Sequence, residues 1–113
     1  LGWRVAVASS SPHDWVDGHP RRLGLRASLD AVRTREDVAQ VKPSPELFEQ
    51  AASALGVPAP QCVVCEDSLN GIRAAKAAGM YAIAVPNRVT TVLDFSLADL
   101  RLESLTALRL SAL

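Results

Sequence analysis

Four short runs of this 113-residue chain are apolar almost without interruption: residues 3–8 (WRVAVA), 29–32, 62–65 (CVVC) and 81–85 (YAIAV). A strand with one wet face alternates in polarity. A strand covered on both faces does not, and such strands belong to parallel sheets sandwiched between helices. The intervening segments suit that reading. Lys42-Pro43-Ser44-Pro45 opens a helix with Ser44 as its cap and Pro45 as its first residue. Leu47, Phe48, Ala51, Ala52 and Leu55 make its apolar stripe, and Gly56 stops it. Residues 70–78 form a second helix, with Gly79 just past its end. Strand, helix, strand, helix, strand specifies right-handed crossovers and a three-layer α/β/α, Rossmann-like parallel sheet.

Other segments are less regular. Ser11 can cap a short helix that begins at Pro12 and is interrupted by Gly18 and Pro20. Residues 34–41 read as polar loop. The tail from Thr90 onward carries Leu93, Phe95, Leu97, Leu100, Leu102, Leu105, Leu108 and Leu110. It is apolar enough to pack back on the sheet, with residues 105–110 helical.

Bulk properties exclude several roles. Twelve basic and twelve acidic side chains give a formal net charge of zero, with no block of like charge. Nucleic-acid and membrane-surface binding therefore have no support. No apolar run reaches the length of a membrane span. Two cysteines and no recognisable export signal fit a reducing cytoplasm. The chain opens on Leu1 and runs almost at once into a buried-looking strand, so we read it as part of a longer polypeptide.

An open parallel sheet binds its ligand outside the carboxyl ends of its strands. Three groups with useful chemistry fall there. Glu66 and Asp67 follow the third strand, and two carboxylates with phosphate and water suit Mg²⁺. From spacing alone, Asp67 or Ser68 as a plain helix cap is the commoner outcome. Lys42 can offer a point charge to a phosphate, although a lone lysine is usually a surface residue. Ser9, Ser10 and Ser11 end the first strand, where hydroxyls and successive N–H groups form an anion nest or simply a turn. His13, close by, can touch a bound anion or sit idle in a loop. Cys62 and Cys65 match C-x-x-C, but positions i and i+3 of a strand face opposite ways, so both are expected as buried apolar residues. With only two histidines, a zinc cluster is poorly supplied. Together, hydroxyl, lysine and carboxylates from separate crossover units make a phosphate-plus-metal pocket.

In this arrangement the chain resembles the haloacid dehalogenase superfamily, in particular its β-phosphoglucomutase-like phosphatases and mutases. VAVASSS resembles that family's second motif, VKPSPELF its third and CEDSLNGIRAAKAAGM its fourth, over residues 3–85. The resemblance implies Ser9 and Lys42 as catalytic phosphate ligands, with Ser10 and His13 beside them. It implies Glu66 and Asp67 as Mg²⁺ carboxylates, and Ser68 and Gly71 as shapers of the turn. It implies a small phosphorylated metabolite, such as a sugar phosphate, as substrate. The family's first motif, an Asp-x-Asp whose first aspartate is the nucleophile, is nowhere in this sequence; Asp30 and Asp37 are not in such a pair. Residues 1–113 are thus expected to be a partial core, without the first strand or the cap domain, and inactive alone. The missing strand would lie between those of the second and fourth motifs. Its neighbours must then pair directly or leave a gap whose bare edges invite self-association. Two other readings remain open from the residues: a receiver-like signalling module, and a non-catalytic remnant that binds a strand-donating partner.

Overall fold

The computed structural model describes residues 3–12 and 29–104. Five short strands and two α-helices make up its regular structure: β1 (Ala6–Ala8), β2 (Ala31–Arg33), α1 (Glu46–Leu55), β3 (Val63–Glu66), α2 (Leu69–Ala77), β4 (Tyr81–Ala84) and β5 (Leu100–Arg101). All strand pairs are parallel. The α/β class read from the uninterrupted apolar runs is the class observed.

Each helix is explained by its own residues. α1 buries Leu47, Phe48, Ala51 and Ala52, four of the five stripe positions, against β1 and β2. It ends at Gly56, whose φ of 69° is the left-handed conformation that glycine reaches without penalty. Its start differs from expectation by one residue. Pro45 is the cap, and Ser44 Oγ instead accepts from the Glu46 N–H at 3.3 Å. The turn closed by Ser44 N–H on Val41 O already winds the chain toward helix before Pro45. α2 is capped by Ser68, whose hydroxyl accepts from the Gly71 N–H at 3.0 Å. Its buried face of Gly71, Ile72, Ala74 and Ala75 is made of small residues, so the helix lies close on β4.

Several expectations need correction. Residues 34–41 are not simply loop: Arg35–Asp37 form a 3-10 turn closed by Thr34, which is fully buried and takes Asp37 Oδ2 on its N–H at 2.7 Å. Cys65 is exposed and Cys62 only half-buried, so the cysteines are not the buried pair expected. Both line the open space beside β3. The tail packs back only in part. Phe95 is 4% exposed, whereas Leu97 is 53% exposed. The tail also supplies β5, which no apolar run announced. The proposed helices after Pro12 and over residues 105–110 lie outside the described residues.

The strands do not form one sheet. Among the described residues β1 pairs with β2 alone, and the other sheet runs β3-β4-β5. Between the facing edges of β1 and β3 lies a cleft of about 650 Å³, floored by Phe48, Ala51, Ala52 and Leu55 of α1. Among the described residues β1 and β3 are separated by this gap and do not pair directly. Among the described residues, no helix is long and apolar enough to cross a membrane.

Candidate functional site

The carboxyl ends of β1 and β3 and the turn before α1 meet at one edge of the cleft. Ser9, Ser10, Ser11, Lys42, Glu66 and Ser68 line a single open pocket there, of about 580 Å³. Its far wall comes from the first turns of α2 and from Leu93.

The serines follow β1 directly. Ser9 continues the ladder by donating its N–H to Arg33 O at 3.0 Å, and its hydroxyl accepts from the Ser11 N–H at 3.1 Å. Ser10 Oγ is buried and takes no hydrogen bond among the described residues. A buried hydroxyl without a partner is costly, and it is satisfied if an anion sits beside it.

Lys42 spans the gap between the sheets. Its Nζ donates to Ala8 O and to Glu66 Oε2, both at 2.8 Å, and lies 4.7 Å from the centre of the Phe48 ring. The Lys42 and Glu66 side chains are only 11% and 13% exposed, so this ion pair is largely shielded from water. The Lys42–Pro43 peptide is cis. An ammonium carries three protons, and among the described residues two of them are taken by oxygen acceptors.

Glu66 is packed as tightly as it is paired. Its Oε1 accepts from Ser68 Oγ and the Asp67 N–H, both at 3.2 Å. A side chain on Gly71 would place its Cβ 2.0 Å from Glu66 Cγ and Cδ. Glycine is therefore required by the carboxylate, and the Ser-x-x-Gly spacing has a physical cause: serine caps α2 while glycine makes room for Glu66.

Asp67 stands slightly apart. It is exposed, is not in the pocket lining, and its Oδ2 accepts from Asn87 Nδ2 at 3.0 Å. Ser9, Ser10, Lys42 and Glu66 are thus brought together, Asp67 lies next to Glu66 at their edge, and His13 is outside the described residues. Among the described residues, no group of three or more histidine, cysteine, aspartate or glutamate side chains forms a ready-made metal cage. The donor set of two adjacent carboxylates, with an orphaned hydroxyl and the Lys42 ammonium nearby, still fits a hard cation shared with phosphate oxygens. Sequence reasoning missed Asn87, whose only local signal is its place after Pro86 at the end of β4, and the Phe48 ring beside Lys42.

Residues 1–79 match the family model for haloacid dehalogenase-like hydrolases. The Bacillus subtilis (strain 168) protein YhcW is 46% identical over the whole chain, which covers 51% of that relative. Hexitol phosphatase B of Escherichia coli (strain K12) is 40% identical across 95% of this chain and 49% of its own length. Among solved structures, CbbY from Rhodobacter sphaeroides in complex with phosphate superposes with a TM-score of 0.86 at 39% identity, over 91% of this chain and 47% of that one. CbbY is also known in complex with xylulose-(1,5)bisphosphate. The chain spans about half the length of these two relatives.

Proposed function

This chain belongs to the haloacid dehalogenase-like hydrolases, and from that premise we propose that it forms the phosphate- and metal-holding half of a Mg²⁺-dependent phosphoryl-transfer site. The nucleophilic aspartate of that site lies outside these 113 residues, since no Asp-x-Asp occurs in them. The observation that carries the reading is the single pocket shared by Ser9, Ser10, Lys42 and Glu66.

Each residue then has a task its surroundings suit. Ser9 and Ser10 offer hydroxyls, and the turn they begin offers backbone N–H groups, to phosphoryl oxygens. Lys42 gives its third proton to the phosphoryl group. Glu66, held by Lys42 and Ser68, fixes where that ammonium sits. Asp67 and Glu66 supply the carboxylates for Mg²⁺, which when bound offsets the charge on the phosphoryl oxygens. Positioning and electrostatics of this kind account for most of the lowering of a phosphoryl-transfer barrier. The substrate class is a small phosphorylated sugar or polyol, in keeping with the names of the relatives. A reducing cytoplasm suits the two unpaired cysteines, and the open edges of β1 and β3 are the surface for self-association.

Inorganic phosphate titrated into the chain and followed by ³¹P NMR should show binding that strengthens with Mg²⁺. Hydrolysis of p-nitrophenyl phosphate by the chain alone should be undetectable. Absence of phosphate binding refutes the site. Saturable hydrolysis refutes a nucleophile supplied from elsewhere.

A further inference from the structure

We propose that Asn87 is a positioning residue for Asp67, fixing which carboxylate oxygen is offered to the divalent cation. The inference rests on the metal-site reading above.

The orientation of the Asn87 amide is settled by its partners. Its Oδ1 accepts from two backbone donors, the N–H of Val89 at 2.8 Å and of Thr90 at 2.9 Å. Backbone N–H groups only donate, so the end facing them is the oxygen and the end facing Asp67 is the NH₂ group. Thr90 closes the arrangement. Its hydroxyl accepts from the Asn87 N–H at 2.9 Å and donates to Asn87 Oδ1 at 3.1 Å. The Asn87 carbonyl is taken by the Thr91 N–H at 2.9 Å. This loop therefore holds the side chain rigid through contacts that do not involve Asp67.

The remaining donor, Nδ2, reaches Asp67 Oδ2 at 3.0 Å. Asp67 is exposed and, among the described residues, forms no ion pair with a lysine or arginine, unlike Glu66. A carboxylate with one oxygen pinned presents the other in a defined direction. An outer-shell hydrogen bond to a ligating carboxylate commonly contributes 10- to 100-fold in metal affinity. Asn87 comes from the loop after β4, the middle strand of the second sheet, so it couples that loop to the metal carboxylate.

The test is Mn²⁺ uptake by the chain, followed by electron paramagnetic resonance, with thermal melting as the control. Asn87→Ser keeps a side-chain oxygen to accept from the N–H two residues on, but is too short to reach Asp67. It should weaken Mn²⁺ binding about tenfold while the melting temperature stays close to that of the unaltered chain. Thr90→Val removes a lock on the loop but leaves Nδ2 in place, and should weaken Mn²⁺ far less. If Asn87→Ser binds Mn²⁺ as the unaltered chain does, or if Thr90→Val loses as much affinity, Asn87 only shapes its loop and the inference is wrong. If the unaltered chain takes up no Mn²⁺, or its uptake survives Asp67→Ala, the metal-site reading itself fails and this inference falls with it.

Discussion

At the scale of single residues, the site is built around one shielded ion pair and one glycine. Lys42 and Glu66 meet at 2.8 Å across the gap between the sheets. Removing one member of a buried pair strands the other and costs about 3–5 kcal/mol. Lys42→Met should therefore lower stability by several kcal/mol in urea unfolding. Adding Glu66→Gln to it should restore part of the loss, which a double-mutant cycle reads directly. If the two substitutions are additive, the pair is not what ties the sheets together. Gly71→Ala is the complementary case. Its methyl group occupies the space of Glu66 Cγ and Cδ, so the carboxylate must leave Lys42 and Ser68. Phosphate binding should fall sharply although no site residue has been replaced, whereas Gly71→Ala with unchanged affinity would contradict the packing argument. That Ser9, Lys42 and Glu66 fall at one end of the strands was legible in the sequence, because each follows a strand or precedes a helix cap. Asn87 was not, because its role depends on an amide whose orientation is set by a loop fold. The pairing of Lys42 with Glu66 joins residues 24 apart, and no local pattern encodes it.

At the scale of elements, long stripes and caps announced themselves and short pairings did not. α1 was visible in the spacing of Leu47, Phe48, Ala51 and Ala52. β4 was visible as an apolar run. β5 has two exposed residues and no pattern; it exists because Asp99 fastens it. Asp99 Oδ2 accepts from Lys76 Nζ at 2.7 Å and from the Ala82 N–H at 2.8 Å. The hydrogen bond from Lys76, and then that from Ala82, hold its carboxyl below the usual range. A carboxyl lowered on folding stabilises fully above its unfolded value near 4, and the contribution is lost as pH falls through the still lower folded value. Hydrogen exchange should therefore show the Leu102 amide, bonded to Ala84 O, losing protection on acidification while the Val85 amide, bonded to Glu66 O, keeps its own. Asp99→Asn should show the loss already at neutral pH. Equal behaviour of the two amides would mean that Asp99 does not hold β5.

At the scale of the whole molecule, the gap between β1 and β3 governs behaviour. Parallel order, helix placement and the convergence of three loops were legible from strand and helix alternation. The width of the gap was not, because sequence left direct pairing and separation equally open. Lys42 ties the two sheets across the gap through Ala8 O and Glu66, while α1 forms the floor of the cleft. Unpaired edges of this kind template association, so sedimentation velocity should show oligomers growing with concentration; a monomer throughout the series would argue that the edges are protected. The proposed function requires phosphate and metal to share the pocket at the strand ends. Diffraction from crystals of the chain grown with Mn²⁺ and inorganic phosphate measures this directly. An anomalous peak is expected at Asp67, with phosphate density touching Ser9, Ser10 and Lys42. Phosphate density elsewhere, or a Mn²⁺ peak that leaves Asp67 untouched, would contradict the proposed function.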